Sequence, residues 1–154
     1  MVRLSAQSWD AICQHAQETF PEECCGAILG RNNGVVEIRH ITNIQNAMHA
    51  KDPESYPRDA TIAYFMDPKE LLAVIKEVDS GQTQLLAFYH SHPNHDAYFS
   101  AEDKARALFG EEPSYPDTVY LVISICDREV KVIRAYIWNE EKKDFAETAL
   151  STEV

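Results

Sequence analysis

The chain has 154 residues, 45% hydrophobic and 25% charged, with a net charge of -11. That length suits one domain spanning 1–154 with a hydrophobic core that needs no staples. The negative balance argues against a nucleic-acid partner and for a basic or neutral one. No apolar run reaches the length of a membrane span. The first twenty residues carry Asp10 and Glu18 without an apolar core run, so neither a membrane contact nor a secretory signal is expected and the cytoplasm is the simplest location.

Along the chain, Trp9, Ile12, Cys13, Ala16 and Phe20 recur at near-helical spacing, which predicts an amphipathic helix over Leu4 to Phe20, ended by Pro21. Cys25 to Gly30 is a short apolar run, Asn32-Asn33-Gly34 signals a hairpin, and Val35 to Ile44 returns as a strand. From Gln45 to Tyr64 no period survives Pro53, Pro57, Asp52 and Asp59, so a long loop is expected, of the kind that often carries function. Asp67-Pro68-Lys69-Glu70 opens a helix, with Asp67 as cap, Pro68 at the first position, Glu70 able to close a capping box, and Leu71, Leu72, Ile75 and Val78 as the buried stripe. Leu85 to Tyr89 is apolar on both faces, as in an interior strand. Ser100 to Phe109 reads as a short helix ended by Gly110. Val119 to Cys126 and Val130 to Trp138 read as strands joined by a tight Asp127-Arg128-Glu129 turn, and Phe145 to Leu150 as a weak last strand. This order predicts an α+β type of α/β fold, one mixed sheet packed by helices.

Four cysteines, Cys13, Cys24, Cys25 and Cys126, include no Cys-x-x-Cys pair, so a zinc ribbon is excluded. They read as reduced, buried thiols, with Cys24 and Cys25 on opposite faces of a strand.

The chemistry concentrates between His90 and Asp103. Residues i and i+2 of a strand face the same way, so the imidazoles of His90 and His92 can reach one ion. A catalytic zinc takes three protein ligands and leaves a fourth place for water, and Asp103, on the first turn of the next helix, can supply the third ligand. Ser100 and Asp103 also fit a capping box, which is compatible with metal binding. A metal hydrolase needs a further carboxylate to move a proton, and Glu22 and Glu23 both stand at the start of the first strand. Spacing does not choose between them.

His90-Ser91-His92-Pro93, seven residues from Pro93 to Phe99, then Ser100 and Asp103 two residues further, resemble the metal-binding motif of the JAMM (MPN-plus) metalloproteases. Glu23-Cys24-Cys25-Gly26 resembles the family's upstream Glu-x-Cys-Gly. The resemblance runs from the first helix to about Trp138 and is nearest to the short stand-alone prokaryotic members. It implies an MPN/JAMM, cytidine-deaminase-like fold with a largely antiparallel curved sheet. It implies that His90, His92 and Asp103 hold Zn2+, that Glu23 is the general acid/base, and that Ser100 donates to the oxyanion. It also implies cleavage of a peptide or isopeptide bond at the Gly-Gly tail of a ubiquitin-like or sulfur-carrier protein. The Gln45–Tyr64 loop falls where family members grip that tail, which would bind by β-strand addition. Glu111 to Asp117 is short where some members carry a second insertion. His95 matches no family ligand position and is expected to line the cleft or face water. A homodimer stays open.

Two other readings compete. A non-catalytic binding module of the same fold would lack the ligands present here. An iron(II) oxygenase could use the same two-histidine-one-carboxylate set, but leaves Ser100 and Glu23 without a task. A zinc deaminase would need paired cysteine ligands that are absent.

Overall fold

The computed structural model describes residues 2–153. In chain order these form β1 (Val2–Ser5), α1 (Ala6–Thr19), β2 (Cys25–Arg31), β3 (Val36–Ile41), α2 (Gln45–Lys51), α3 (Pro68–Asp79), β4 (Thr83–Pro93), α4 (Ala101–Ala107), β5 (Leu108–Phe109), β6 (Glu112–Pro113), β7 (Val119–Cys126), β8 (Glu129–Asn139), β9 (Asp144–Thr148) and β10 (Leu150–Glu153). Six strands make one sheet in the order β3-β2-β4-β7-β8-β9. Only β4 and β7 run parallel, and the other four pairings are antiparallel. The mixed, largely antiparallel sheet flanked by helices is thus present. Among the described residues no helix is long and apolar enough to cross a membrane.

The sheet is buried on both faces. One face packs Ile28, Ala87, Leu121, Ile123 and Ile133 against Ile12 and Ala16 of α1, with Trp9, Cys13 and Phe20 partly buried beside them. The other face carries Cys25, Ala27, Phe88, Tyr120 and Val122 under Val74 of α3 and Ala107 of α4. Cys24 and Cys25 lie in opposite layers, as strand alternation requires. All four thiols are free. Burial pushes the Cys24 thiol up to about 12, which keeps it protonated and unreactive.

Three local expectations need correction. The α3 stripe runs through Val74, which is fully buried, whereas Leu72 is 52% exposed. Leu71 and Val78 pack against the core as expected, with Val74 between them in the place given to Leu72. Asp67 caps α3 by accepting from the Lys69 amide, but Glu70 does not close a capping box. Its carboxylate instead accepts from the backbone amide and hydroxyl of Thr42, because the end of β3 offers those donors within reach. In β4, Leu86 is partly exposed rather than interior. The register with β2 shifts between Ile28 and Leu29, pairing Ile28 with Ala87 and Leu29 with Leu85. Leu86 is the extra residue of that bulge, and below it the buried alternation resumes.

The termini add a feature that short runs do not advertise. β1 and β10 pair in parallel, Val2 with Leu150 through Ser5 with Glu153, apart from the main sheet. Leu4 belongs to β1, not to the helix, and Ser5 is the N-cap of α1, accepting from the Ser8 amide. The expected last strand divides into β9 and β10 around Ala149. The hairpin turns match expectation: Gly34 has φ 84° in the longer connection between β2 and β3, and Asp127 and Arg128 both adopt positive φ, as the two-residue turn between twisted strands β7 and β8 requires.

Gly26 is fixed by close approach. A Cβ there would lie 2.5 Å from both the Tyr89 ring and the Arg39 carbonyl. The Tyr89 hydroxyl is in turn held 2.7 Å from Nδ1 of His15. At Gly30 a Cβ would meet only the tip of the Leu86 side chain, at 3.2 Å. Gly26→Ala should therefore destabilise the fold by about 1–3 kcal/mol through overpacking, and Gly30→Ala by less. Urea unfolding midpoints of the two variants check the order; equal midpoints would contradict it.

Candidate metal centre

His90 and His92 occupy the last turns of the β4 pleat, both facing the α3 and α4 side, while Ser91 between them points the other way. Its hydroxyl accepts from the Cys24 amide at 2.8 Å and its amide donates to the Cys24 carbonyl. The ladder pairs His90 with Cys25. That register brings the residue before Cys24, Glu23, alongside the two histidines. Parallel pairing with β7 sends the chain from Pro93 back across the sheet through α4, and the N-terminus of α4 returns Asp103 to the same point.

The resulting geometry is tight. Nε2 of His90 and Nε2 of His92 are 3.1 Å apart, and Oδ2 of Asp103 lies 3.1 Å from each. The residues are 1%, 5% and 3% exposed. Nδ1 of His92 lies 2.8 Å from the Asp96 carbonyl. A carbonyl only accepts, so Nδ1 carries a proton, which in the neutral ring leaves the lone pair on Nε2. Burial, partly offset by Asp103, holds His90 below its ordinary range, so its ring is neutral. Burial alone would raise the Asp103 carboxyl. The fields and hydrogen bonds of His90 and His92 outweigh it and hold Asp103 far below the usual carboxylate range. Two ring nitrogens and an ionised carboxylate oxygen therefore converge on one point.

This arrangement fits a cation. Tetrahedral coordination with bonds of about 2.0–2.1 Å spaces donor atoms about 3.3 Å apart, close to the 3.1 Å triangle. Glu23 is the neighbouring group: its carboxylate and the ring nitrogens of His90 and His92 all lie within 4.8 Å of one another. The Asp103 oxygen stands 3.1 Å from each ring nitrogen, so both carboxylates face the pair of rings.

Glu23 has an uncommon environment. It is 4% exposed, and its Oε1 is buried with no hydrogen-bond partner among the described residues. Burial, then the Asp103 charge, pushes its carboxyl well above the ordinary value, against Arg58 and Arg106. Glu22 faces outward and accepts from Nδ2 of Asn46 at 2.6 Å. The choice that spacing left open between two adjacent acids is thus separated by where their side chains point.

Ser100 serves the helix and the cleft together. Its hydroxyl accepts from the Asp103 amide at 3.0 Å, and Oδ2 of Asp103 accepts from the Ser100 amide at 3.0 Å. This is a complete capping box. The hydroxyl proton is not used in that exchange. Ser100 opens onto a cleft of about 310 Å³ lined by Glu23, Arg58, Ile62, His92, His95, Tyr98 and Asp103. His95 lines it without approaching the triangle. Beyond the His90 ring, on which Tyr64 stacks at 4.5 Å, lies an apolar hollow of about 190 Å³ walled by Tyr64, Phe65, Phe88, Tyr115 and Tyr120.

The segment expected as a plain loop is more ordered than its sequence suggests. It begins with α2, and Asn43 fastens it to the site. Nδ2 of Asn43 donates to the carbonyls of Glu23 and Ala63, and its Oδ1 accepts from the amides of Gln45 and Phe65. Buried Gln45 donates to the Arg58 carbonyl. The Glu23 amide donates to Ala60 at 2.7 Å. Asn43, Gln45, Arg58 and Tyr64 went unnoticed in the sequence, because no periodicity or motif marks an amide that stitches two loops.

Sequence and fold are shared with known proteins. The family described as prokaryotic homologs of the JAB domain matches residues 5–136. A desampylase of Haloferax volcanii is 30% identical over 156 residues, covering 97% of this chain and 95% of that protein. A CysO-cysteine peptidase of Mycobacterium tuberculosis is 26% identical over 133 residues, covering 86% and 80%. The solution structure of a Desulfitobacterium hafniense protein superposes with a TM-score of 0.71 at 24% identity, covering 99% of this chain and 93% of that one. A JAB1/MPN domain protein from Archaeoglobus fulgidus superposes at 0.50 with 15% identity, covering 99% and 98%. The arrangement of sheet and helices is therefore that of JAB1/MPN domains, and the chain belongs to the prokaryotic JAB-domain family.

Proposed function

We propose that this protein is a zinc-dependent peptidase that hydrolyses a peptide or isopeptide bond at the C-terminal Gly-Gly tail of a ubiquitin-like or sulfur-carrier protein. One observation carries the reading: side-chain atoms of His90, His92 and Asp103 converge at 3.1 Å beside the buried carboxylate of Glu23, whose Oε1 has no hydrogen-bond partner among the described residues. The names of the relatives, desampylase and CysO-cysteine peptidase, support the substrate class. A non-catalytic module has no use for an unpartnered buried acid at such a point.

His90, His92 and Asp103 would hold the ion. Zinc bound there supplies Lewis acidity, polarising a carbonyl and making water acidic at a pKa of about 7. Glu23 does the proton work. Its Oε1 accepts the proton of the attacking water and delivers it to the leaving nitrogen, and a carboxyl with raised proton affinity suits both steps. Ser100 donates its hydroxyl proton to the carbonyl oxygen as charge builds there, while its oxygen stays engaged with the Asp103 amide. Asp96 holds the His92 ring in the tautomer that leaves Nε2 free. The ordered segment from Gln45 to Tyr64 walls the cleft through Arg58 and Ile62, leaving a passage suited to an extended tail of small residues.

Glu23→Gln keeps the shape but cannot take a proton. It should lower tail cleavage by roughly 10²–10⁴-fold while metal analysis still finds one zinc per chain. Retained cleavage would sink the assignment. Asp103→Ala removes one corner of the triangle. It should lose both zinc and activity, measured by plasma mass spectrometry and by weighing the cleaved carrier; full zinc occupancy in that variant, or iron as the native metal, would contradict the proposal.

A third expectation concerns the metal-free protein. Because folding raises the Glu23 pKa, the folded state holds a proton that the unfolded state gives up. Stability then falls as pH rises from the unfolded carboxyl value through the raised folded one. Metal-free Glu23→Gln should melt at a higher temperature than metal-free wild type at pH 7, with the difference closing near pH 4. A difference that is constant with pH would show that Glu23 is not strained by ionisation.

A further inference from the structure

Resting on the peptidase reading, we propose that Arg58 is a specificity-determining residue that binds a free α-carboxylate on the released side of the scissile bond. The preferred leaving group is then a single amino acid carrying its own carboxylate, rather than a lysine side chain of a folded protein.

Arg58 lines the cleft together with Glu23, Ser100 and Asp103, and its charge is felt at the Glu23 carboxyl. Its backbone is pinned, since its carbonyl accepts from buried Gln45 at 2.9 Å. Its head group is not. Among the described residues it makes one long contact, 3.5 Å from Nη1 to the Ile62 carbonyl, and no ion pair with any carboxylate. The acid next to it, Asp59, is already engaged, with Oδ1 accepting from the amide and hydroxyl of Thr61. The neighbouring cation Arg106 turns its Nη2 to Glu102 at 3.2 Å and to Gln45, keeps its Nε buried without a partner among the described residues, and lines the separate hollow beside Tyr64.

An uncommitted guanidinium on an anchored backbone, inside a cleft whose other charged walls are Glu23 and Asp103, is a binding group for an anion. Guanidinium forks match a carboxylate with two parallel hydrogen bonds. A chain with a net charge of -11 repels such an anion unless a local cation receives it. The size agrees: about 310 Å³ is at the small end of ligand pockets, roughly 300–1,000 Å³, enough for a tail end and one further residue. A lysine side chain joined through its ε-nitrogen brings no carboxylate to that position.

The test uses the zinc-loaded enzyme and a ubiquitin-like carrier extended by one alanine after its Gly-Gly end, prepared with a C-terminal acid or a C-terminal amide. The acid form should be cleaved with at least a tenfold higher kcat/KM, chiefly through KM, and Arg58→Gln should collapse that ratio toward one. Arg58 is exposed, so the variant should fold, which its melting curve checks. Equal cleavage of acid and amide by the wild type, or an unchanged ratio in Arg58→Gln, overturns the Arg58 assignment and leaves the peptidase reading standing. Cleavage of neither form by the wild type overturns the peptidase reading and this one with it.

Discussion

Two imidazole nitrogens and one carboxylate oxygen meet at 3.1 Å inside the protein. Burying such a set is unfavourable unless positive charge is shared among the three, because each atom loses its water. A proton or a metal cation at that point turns mutual repulsion into shared attraction. Most of the local structure keeps these atoms converging. Asp96 fixes one ring by its carbonyl, Tyr64 lies against the other, and the capping box holds Asp103 by the same oxygen that faces the rings.

The fold delivers that convergence through backbone pairing rather than through side-chain packing at the site. Register places Cys25 opposite His90, so Glu23 arrives beside the strand end without a loop of its own. The single parallel pair, β4 with β7, forces a crossover, and the crossover carries α4 with Asp103 in its first turn. Regular elements thus aim every group of the site, which limits how far each can drift. The exception is the segment after β3, which has little regular structure and is held by amide side chains. Asn43 alone joins four backbone groups.

The sequence was most legible where chemistry and periodicity are local. His90 and His92 can be placed on one strand face because alternation needs only two residues, and Ser100 with Asp103 can be placed on a helix start because a capping box needs only four. The two-layer core was readable from α1 and from the strands β7 and β8 for the same reason. Choices that depend on long-range pairing were not. Nothing near Leu86 announces a bulge, since the bulge is a property of β2 against β4. On α3 the miss was local: Val74, not Leu72, completes the i, i+3, i+4, i+7 stripe of Leu71, Ile75 and Val78. Glu70 would close a capping box in an isolated helix, but Thr42, 28 residues away in sequence, competes for its carboxylate. Glu22 and Glu23 differ in nothing but the direction of their side chains, which spacing leaves open and which the relation to an upstream family motif anticipates.

The two buried carboxylates of the site are driven in opposite directions by their surroundings. Asp103 is kept ionised by the rings it faces. Glu23, less than 5 Å from the same rings, has no donor on its Oε1 among the described residues and is pushed by burial toward its protonated form. Had both been ionised, their repulsion across the cleft would weaken the site; had both been neutral, no charge would remain to hold a cation. Separating the two affinities divides the labour. On the proposed function, one carboxylate would be a fixed charge that binds, and the other would gain and lose a proton at the pH where its partner cannot. Such a division follows from position alone, one acid closing a helix cap against two imidazoles and the other buried just before β2 with one oxygen unpartnered among the described residues. It explains why two acids in one small cleft are not redundant.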